Sequence, residues 1–305
     1  MKVSVCMITY NHGEFIGQAI ESILNQKTQF DFEIVIGEDC SIDSTRDIIL
    51  RYKEKFPDKI KLLLHDNNIG MQKNFHETLC QCKGEYIALC EGDDYWVDNN
   101  KLQKQVSFLD ENLDYSLSFH NVNIVNETTG EVKSFNKYKE DKTFSIIDVI
   151  NSWFIGTQSM VFRNFDIKNE IPISYFEYMT TDRYLQILVS SKGPIKYFSE
   201  KMATYRINDT SVTVNENYGS SVAFFDSSLK MFNDFKYTLE EKYLPYLNKT
   251  INKIEEDKKI AQAITYSSNK NTIDAINILF SVFVNNPFRL FKYPRLFFGI
   301  VKNSF

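Results

Sequence analysis

Over the first hundred positions, short unbroken apolar runs alternate with stretches where apolar residues recur every three or four. Val3 to Thr9 is continuous and rich in β-branched residues, the mark of a strand covered on both faces. Ile16, Ala19, Ile20, Ile23 and Leu24 then fall at helical spacing. Phe32 to Ile36 predicts a second buried strand, ending in Gly37-Glu38-Asp39, and Asp43 is placed as the N-cap of a helix carrying Ile48, Ile49 and Tyr52. Ile60 to Leu64 predicts a third strand, and a helix follows Asn68-Ile69-Gly70 as far as Cys82. Tyr86 to Cys90 predicts a fourth strand that runs into Glu91-Gly92-Asp93-Asp94. Strands alternating with helices of this length predict an α/β domain built on a parallel sheet with right-handed crossovers.

From Tyr115 the rhythm changes. Ser116 to Val125 alternates as a strand does, Glu127 to Gly130 reads as a turn, and 134–143 is a polar surface loop. Short strands are expected over Gln158 to Phe162 and Ile195 to Phe198, with a helix over Asp182 to Ser191. Near residue 213 a helical region begins, so the expected organisation is a catalytic-size domain over 1–212 and a helical C-terminal region over 213–305.

Composition narrows the classes without choosing one. With 43% hydrophobic and 25% charged residues the chain is an ordinary globular one, and a net charge of −5 gives no basic field for nucleic acid. All five cysteines lie in the first 90 residues with no CxxC spacing; they read as reduced thiols of a cytoplasmic protein. His76 and Cys80 share a helical face but lack a second ligand pair, which argues against zinc. No apolar run is long enough for a spanning helix, and the N-terminus has no secretory pattern.

The polar clusters sit where a parallel sheet binds its ligand, at the C-terminal strand ends: Thr9-Tyr10-Asn11, Glu38-Asp39 and Asp93-Asp94. Neither a GxxxxGK[ST] loop nor a GxGxxG turn is present, which weighs against a P-loop enzyme and a standard dinucleotide fold. Acids gathered at one strand end repel one another unless a cation neutralises them, and hard oxygen donors favour Mg²⁺ or Mn²⁺. Such an ion offsets the charge of a leaving diphosphate. Two other classes remain at this point, a nucleotidyltransferase and a non-catalytic sugar-binding protein.

Five segments, in order, resemble the family 2 glycosyltransferases: MITYNHGEFIGQAIESILNQ, EIVIGEDCSIDST, NNIGMQKNF, KGEYIALCEGDDYWVDNNKLQKQ and TTDRYLQILVSSKGPIKYFSEKMATYRINDTS. The resemblance covers about residues 1–212. It implies a GT-A fold, with a mostly parallel central sheet flanked by helices and a helical C-terminal extension. It also implies metal-dependent, inverting transfer of a sugar, of hexosyltransferase type, from a nucleoside diphosphate sugar, with a UDP-sugar as the expected donor. The acceptor it implies is a surface glycan or lipid-linked glycan. Carried over by position, Thr9, Tyr10 and Asn11 line the nucleotide pocket, and Asp39 bonds the base or ribose. Lys73 lies near the nucleotide or pyrophosphate, Asp93 near the ribose or sugar; Asp94 coordinates the metal, and Asp182 is the general base. Asn208 stands where a histidine is frequent, so no charged phosphate contact is expected there.

The C-terminal stretch carries a further expectation. Residues 279–305 hold seven Phe with Arg289, Lys292, Arg295 and Lys302, no acid follows Asp274, and Pro287 and Pro294 break it up. Aromatic anchors among basic residues suit an anionic membrane surface, which would hold the protein at the inner face of the cell membrane. Packing on the catalytic domain or a homodimer contact is the alternative use of these Phe residues.

Overall fold

The computed structural model describes residues 1–208, 221–268 and 271–285. The chain divides into two units, Met1–Phe176 with Thr181–Ser211, and Glu177–Thr180 with Val212–Phe305.

The first unit opens with the predicted alternation: β1 (Val3–Thr9), α1 (Ile16–Leu24), β2 (Phe32–Glu38), α2 (Thr45–Lys55), β3 (Ile60–Leu64), α3 (Met71–Gln81) and β4 (Tyr86–Leu89). Then come β5 (Tyr95–Trp96), α4 (Lys101–Glu111), β6 (Leu117–Asn126), β7 (Val132–Ser134), β8 (Lys142–Phe144) and α5 (Ile146–Asn151). A 3₁₀ turn at Thr157–Ser159, β9 (Val161–Arg163), α6 (Thr181–Ser190) and β10 (Ile195–Ile207) complete it. The sheet order is β3-β2-β1-β4-β9-β6-β10-β5, with β7 on β6 and β8 on β10.

β1, β2, β3 and β4 pair in parallel, as the run-and-helix alternation requires. β9 then enters antiparallel to both β4 and β6, while β10 returns parallel to β6, so the sheet as a whole is mixed. The sequence pattern reports that β9 is apolar but not which way it runs. β1 and β2 are buried along their whole length, which explains their unbroken apolar composition. Against them α1 buries Ile16, Ala19, Ile20 and Ile23 completely. A large aliphatic side chain in that layer contributes about 1.5–3 kcal/mol, so a charge at Ile20 would break the helix–sheet contact.

Three local expectations are corrected. Asp43 is not the N-cap of α2, because Ser44 occupies that position. The Asp43 carboxylate instead accepts from the N–H and hydroxyl of Thr45 and from the N–H of Gly13, which ties the loop after β1 to the start of α2. The strand expected from Gln158 begins only at Val161, since the first residues form the 3₁₀ turn. The strand expected over Ile195 to Phe198 continues to Ile207, pairing with β6 through two register shifts.

The second unit contains α7 (Val222–Thr238), α8 (Leu244–Ser268) and α9 (Thr272–Asn285). Ser221 caps α7 by accepting from the Phe224 N–H at 3.1 Å. Ile260, Ala263, Ala275, Leu279 and Val282 form the seam between α8 and α9. Of the aromatic and basic tail, residues up to Asn285 belong to α9, with Phe280 and Phe283 exposed; 286–305 lies outside the described residues. No described helix is long and apolar enough to cross a membrane.

Candidate active site

β1, β2 and β4 each deliver polar groups at their C-terminal ends, the same edge of the parallel half. β1 ends at Thr9, which is buried, and its hydroxyl lies 3.2 Å from Nδ1 of His12. Asn11 follows with φ of 55°, a left-handed conformation that Asn tolerates because its short amide bonds locally. Here the amide oxygen accepts from the Ile42 N–H, and the Asn11 N–H donates to Ser41 Oγ. Tyr10, between them, is 40% exposed and leaves its ring open to a ligand.

Asp39, directly after β2, donates its N–H to the Thr9 carbonyl at 3.1 Å. Its two carboxylate oxygens accept from the N–H groups of Ile69 and Gly70, at 2.7 and 3.0 Å. Asp39 therefore fixes the turn that starts α3, and each oxygen keeps one lone pair for a further donor. Lys73 is exposed in the first turn of that helix, away from any described ion pair.

The segment after β4 presses against the end of β1. The Gly92 N–H donates to the Ile8 carbonyl at 3.0 Å, and a Cβ on Gly92 would lie 2.6 Å from Thr9 Oγ1. Only glycine permits that approach. The approach sets Asp93 Oδ2 3.8 Å from His12 Nε2, and it gathers carboxylate oxygens of Glu91, Asp93 and Asp94 within 4.8 Å of one another.

Three charges at that spacing repel by roughly 3–4 kcal/mol per pair at an effective dielectric near 20. Asp94 is fully buried; Oδ1 accepts from the Arg206 N–H at 2.9 Å, and Oδ2 has no hydrogen-bond partner. Burial, then the charges of Asp93 and Glu91, push its carboxyl well above the usual range. Burial, then Asp93 and Asp182, push Glu91 up to about 8. A hard divalent cation relieves all of this at once, and an orphaned carboxylate oxygen beside two more is the donor set Mn²⁺ or Mg²⁺ takes. The residues therefore fit such an ion.

Arg206, near the end of β10, braces this loop. It is 4% exposed. Nη1 donates to the Asp93 carbonyl, Nε to Glu127, and Nη2 to Gln18 on α1. The guanidinium lies between the rings of Phe15 and Tyr95, at 5.0 and 4.3 Å from their centroids. One side chain thus holds the acid loop to β10, to α1 and to the residue after β6.

Asp182 occupies the first turn of α6, one residue inside its first position, Thr181, and is partly buried. Burial raises its carboxyl to about 6 despite the opposing Arg183 charge, the first-turn amides and a hydrogen bond from the Trp153 side chain. Its charge adds to the rise of the Glu91 carboxyl, after burial and Asp93. A carboxylate near 6 is ionised at neutral pH and still basic enough to take a proton.

Of the residues expected from sequence, Asp39 is joined to Thr9 by a backbone hydrogen bond, and Asn11 bonds Ser41 and Ile42 in the loop after Asp39, with Tyr10 between Thr9 and Asn11 in sequence. Asp93 and Asp94 form the acid loop beside Thr9 and His12. Asp182 acts electrostatically on Glu91 of that loop, and Lys73 is not drawn in. His12, Trp153 and Arg183 were not anticipated, and the bracing geometry of Arg206 was not either. His12 stands three residues beyond Thr9 in a loop already marked as polar; nothing in the sequence marks Trp153. His76 and Cys80 sit 3.9 Å apart, but among the described residues only Glu91, Asp93 and Asp94 form a metal-sized cluster.

The chain is 35% identical over 204 residues to an uncharacterized protein of Mycobacterium tuberculosis, covering 67% of this chain and 58% of that protein. The chain thus spans less than two thirds of the length of that relative. It is 33% identical over 112 residues to the poly(ribitol-phosphate) β-N-acetylglucosaminyltransferase TarS of Staphylococcus aureus, 36% of this chain and 19% of that one. The crystal structure of TarS residues 1–349 with UDP-GlcNAc superposes with a TM-score of 0.62 at 17% identity, covering 91% of this chain and 90% of that one. The Pyrobaculum calidifontis mannosyltransferase PcManGT, solved with GDP-Man and Mn²⁺, gives 0.59 at 13% identity over all of this chain and 87% of that one. These likenesses identify the architecture as the GT-A fold. The model of Glycosyl transferase family 2 matches residues 4–169, more than half of the sequence, and the chain belongs to that family.

Proposed function

We propose that the protein transfers a sugar from a nucleoside diphosphate sugar to a hydroxyl of a glycan or lipid-linked glycan, with inversion at the anomeric carbon. One observation carries this reading. A buried carboxylate oxygen of Asp94 without a partner sits in a three-acid cluster, and a separate carboxylate, Asp182, in the first turn of α6 and electrostatically coupled to Glu91 of that cluster, has its pKa raised to about 6. Such a pairing supplies a seat for a diphosphate-bound cation and a base for a hydroxyl.

In this reading Thr9, Tyr10, Asn11 and Asp39 hold the nucleoside, and Lys73 reaches the pyrophosphate once donor is bound. Asp93 contacts the ribose or sugar. Asp94, with Glu91 and Asp93, holds Mn²⁺ or Mg²⁺, which when bound neutralises the leaving diphosphate. Asp182 accepts the proton of the acceptor hydroxyl as its oxygen attacks the anomeric carbon and the bond to the diphosphate breaks. With a single base and no nucleophile assigned, one displacement inverts the centre. UDP is the favoured nucleotide by analogy with TarS, and the acidic overall charge gives no reason to expect nucleic acid as a partner. A lipid-linked acceptor fits a cytoplasmic protein held at an anionic membrane through the basic and aromatic residues after Asn285.

The test is incubation with a panel of UDP- and GDP-sugars and Mn²⁺, following release of the diphosphate, then NMR of any transfer product. A β-linked product from an α-linked donor is expected. Failure of every donor to bind or turn over would remove the transferase reading, and retained configuration would remove the role of Asp182.

A further inference from the structure

The four residues ahead of α6 are held from far along the chain. Glu177–Thr180 groups with the helical unit, although the residues on either side of it belong to the first unit. The grip comes from one stripe of α7. Ser227 Oγ accepts from the Met179 N–H at 2.7 Å, and Lys230 pairs with Glu177. Met231 Sδ takes a weak bond from the Thr180 hydroxyl at 3.9 Å, and Asp234 accepts from the Tyr178 hydroxyl. Positions 227, 230, 231 and 234 share one helical face. Each residue of the segment is therefore answered by α7. The bonds differ in weight. Lys230 and Glu177 are exposed, so their ion pair contributes little. Tyr178, Thr180 and Met231 are buried, and a phenol donating to a carboxylate makes a charge-assisted bond. The stripe is itself anchored, because Met231, Phe232 and Phe235 are the buried apolar residues of α7.

We infer that α7 positions Asp182 through the segment Glu177–Thr180, with Ser227 and Asp234 as the positioning residues. The inference rests on the transferase reading above and adds residues to its machinery. Only Thr181 stands between Thr180 and Asp182, and these two open α6. A shift of the held segment therefore carries the carboxylate with it. The residues assigned to the donor and its cation, Thr9, Tyr10, Asn11, Asp39 and Asp94, belong to the ends of β1, β2 and β4 and need not follow. A base displaced by about 1 Å can cost about 10²-fold in rate even when the change lies far from the chemistry. The helical region then has a part in turnover, because it fixes where the proton is taken, and no part in holding the donor. Ser227 and Asp234 act on the segment and not on substrate.

The experiment follows diphosphate release from the donor identified by the panel, in wild type, Asp234→Ala, Asp234→Asn and Ser227→Ala. Asp234→Ala is expected to lower kcat by about tenfold or more while the donor KM stays within about twofold. Asp234→Asn keeps an oxygen for the Tyr178 hydroxyl, so its kcat should return to within about threefold of wild type. The same Asp234→Ala change is then made in an Asp182→Asn background. There it should alter kcat by less than about twofold, because the group it positions is gone. Far-UV circular dichroism and thermal melts check that each variant folds; Ser227→Ala, which deletes one hydroxyl, takes the place of Asp234→Ala in both backgrounds if that chain does not. An unchanged kcat overturns the inference. So does an equal loss in both backgrounds, which would make α7 a general support of the fold. A wild type that turns over no donor overturns the transferase reading itself, and an Asp182→Asn that loses nothing overturns the base; the positioning role falls with either.

Discussion

Two carboxylates of the site, Asp94 and Asp182, are handled in opposite ways. Asp94 is fully buried, crowded by two more acids, and answered by one backbone N–H on one oxygen only. Asp182 is also pushed up by burial, but a guanidinium, an indole and the first-turn amides of α6 bring it back to about 6. The first arrangement is unfavourable until something positive arrives. The second is tuned to stand alone. In the proposed reading, a seat for a cation and a base for a proton thus differ in how much compensation the fold itself provides.

The largest effect should come from Asp94→Asn. Turnover at saturating donor should drop by about 10³-fold or more, because charge stabilisation at the leaving group is commonly the largest catalytic contribution. The same variant should melt higher than wild type without divalent cation, since a buried carboxyl held far above its usual range has been removed. Diphosphate release titrated with Mn²⁺, and thermal melts in EDTA, measure the two sides. A variant of unchanged turnover would mean that Asp94 holds no ion.

Asp182→Asn should come next, with turnover lower by about 10²–10⁴-fold and donor affinity within a few-fold. Its melting point should rise modestly at neutral pH, because burial still holds this carboxyl above its usual range. In wild type the turnover should decline as pH falls through about 6, where Asp182 takes up its proton. A rate–pH profile that keeps its acid limb in Asp182→Asn would assign that limb to another group.

Smaller again is Arg206→Lys. A point charge cannot reproduce donation to Glu127, Gln18 and the Asp93 carbonyl together. Apparent Mn²⁺ affinity should weaken by about 10–100-fold, the usual cost of disturbing groups that orient metal ligands. Equilibrium dialysis with Mn²⁺ measures it, and an unaltered affinity would reduce Arg206 to a packing residue.

The smallest effect is on stability. Glu91, raised from 4.5 to about 8, keeps a proton in the folded state that the unfolded chain has released between those values. The folded state then binds more protons, so stability without metal falls as pH rises through that window. Glu91→Gln should flatten the trend and add roughly 1–3 kcal/mol at pH near 8 in EDTA. Urea melts at two pH values decide it; parallel trends in both proteins would show that Glu91 is not the source.

The two halves of the sheet also differ in how far the sequence reveals them. In β1, β2 and β4, burial on both faces favours apolar runs, and the ligand edge follows from strand direction. Thr9, Asn11, Asp39, Asp93 and Asp94 could therefore be placed at that edge from the sequence, and the structure puts them at the ends of β1, β2 and β4. β9 and β10 gave shorter and partly misplaced signals, because three residues of strand carry no direction and a strand with register shifts loses its alternation. His12 and Trp153 escaped for another reason. Their importance lies in contacts with Asp93 and Asp182, residues 81 and 29 positions away, which no local pattern encodes. Asp43 shows the same limit at short range: it has the composition of a cap, but its carboxylate serves Gly13 across the loop as well.

The register shifts of β10 bear on how this chain tolerates changes in length. Ile195 pairs with Leu117 while Ala203 pairs with Val122, so β10 spends more residues than β6 over the same span, between Phe198 and Ala203. Those extra residues set the phase in which the strand reaches the acid loop. Deleting one of them would look harmless in an alignment, a single gap in a partly exposed stretch, yet a one-residue slip turns each following side chain to the opposite face. The Arg206 guanidinium would then leave Phe15 and Tyr95, and its N–H would no longer meet Asp94. Insertions and deletions between 198 and 203 should accordingly be far rarer among functional descendants of this sequence than substitutions at the same positions.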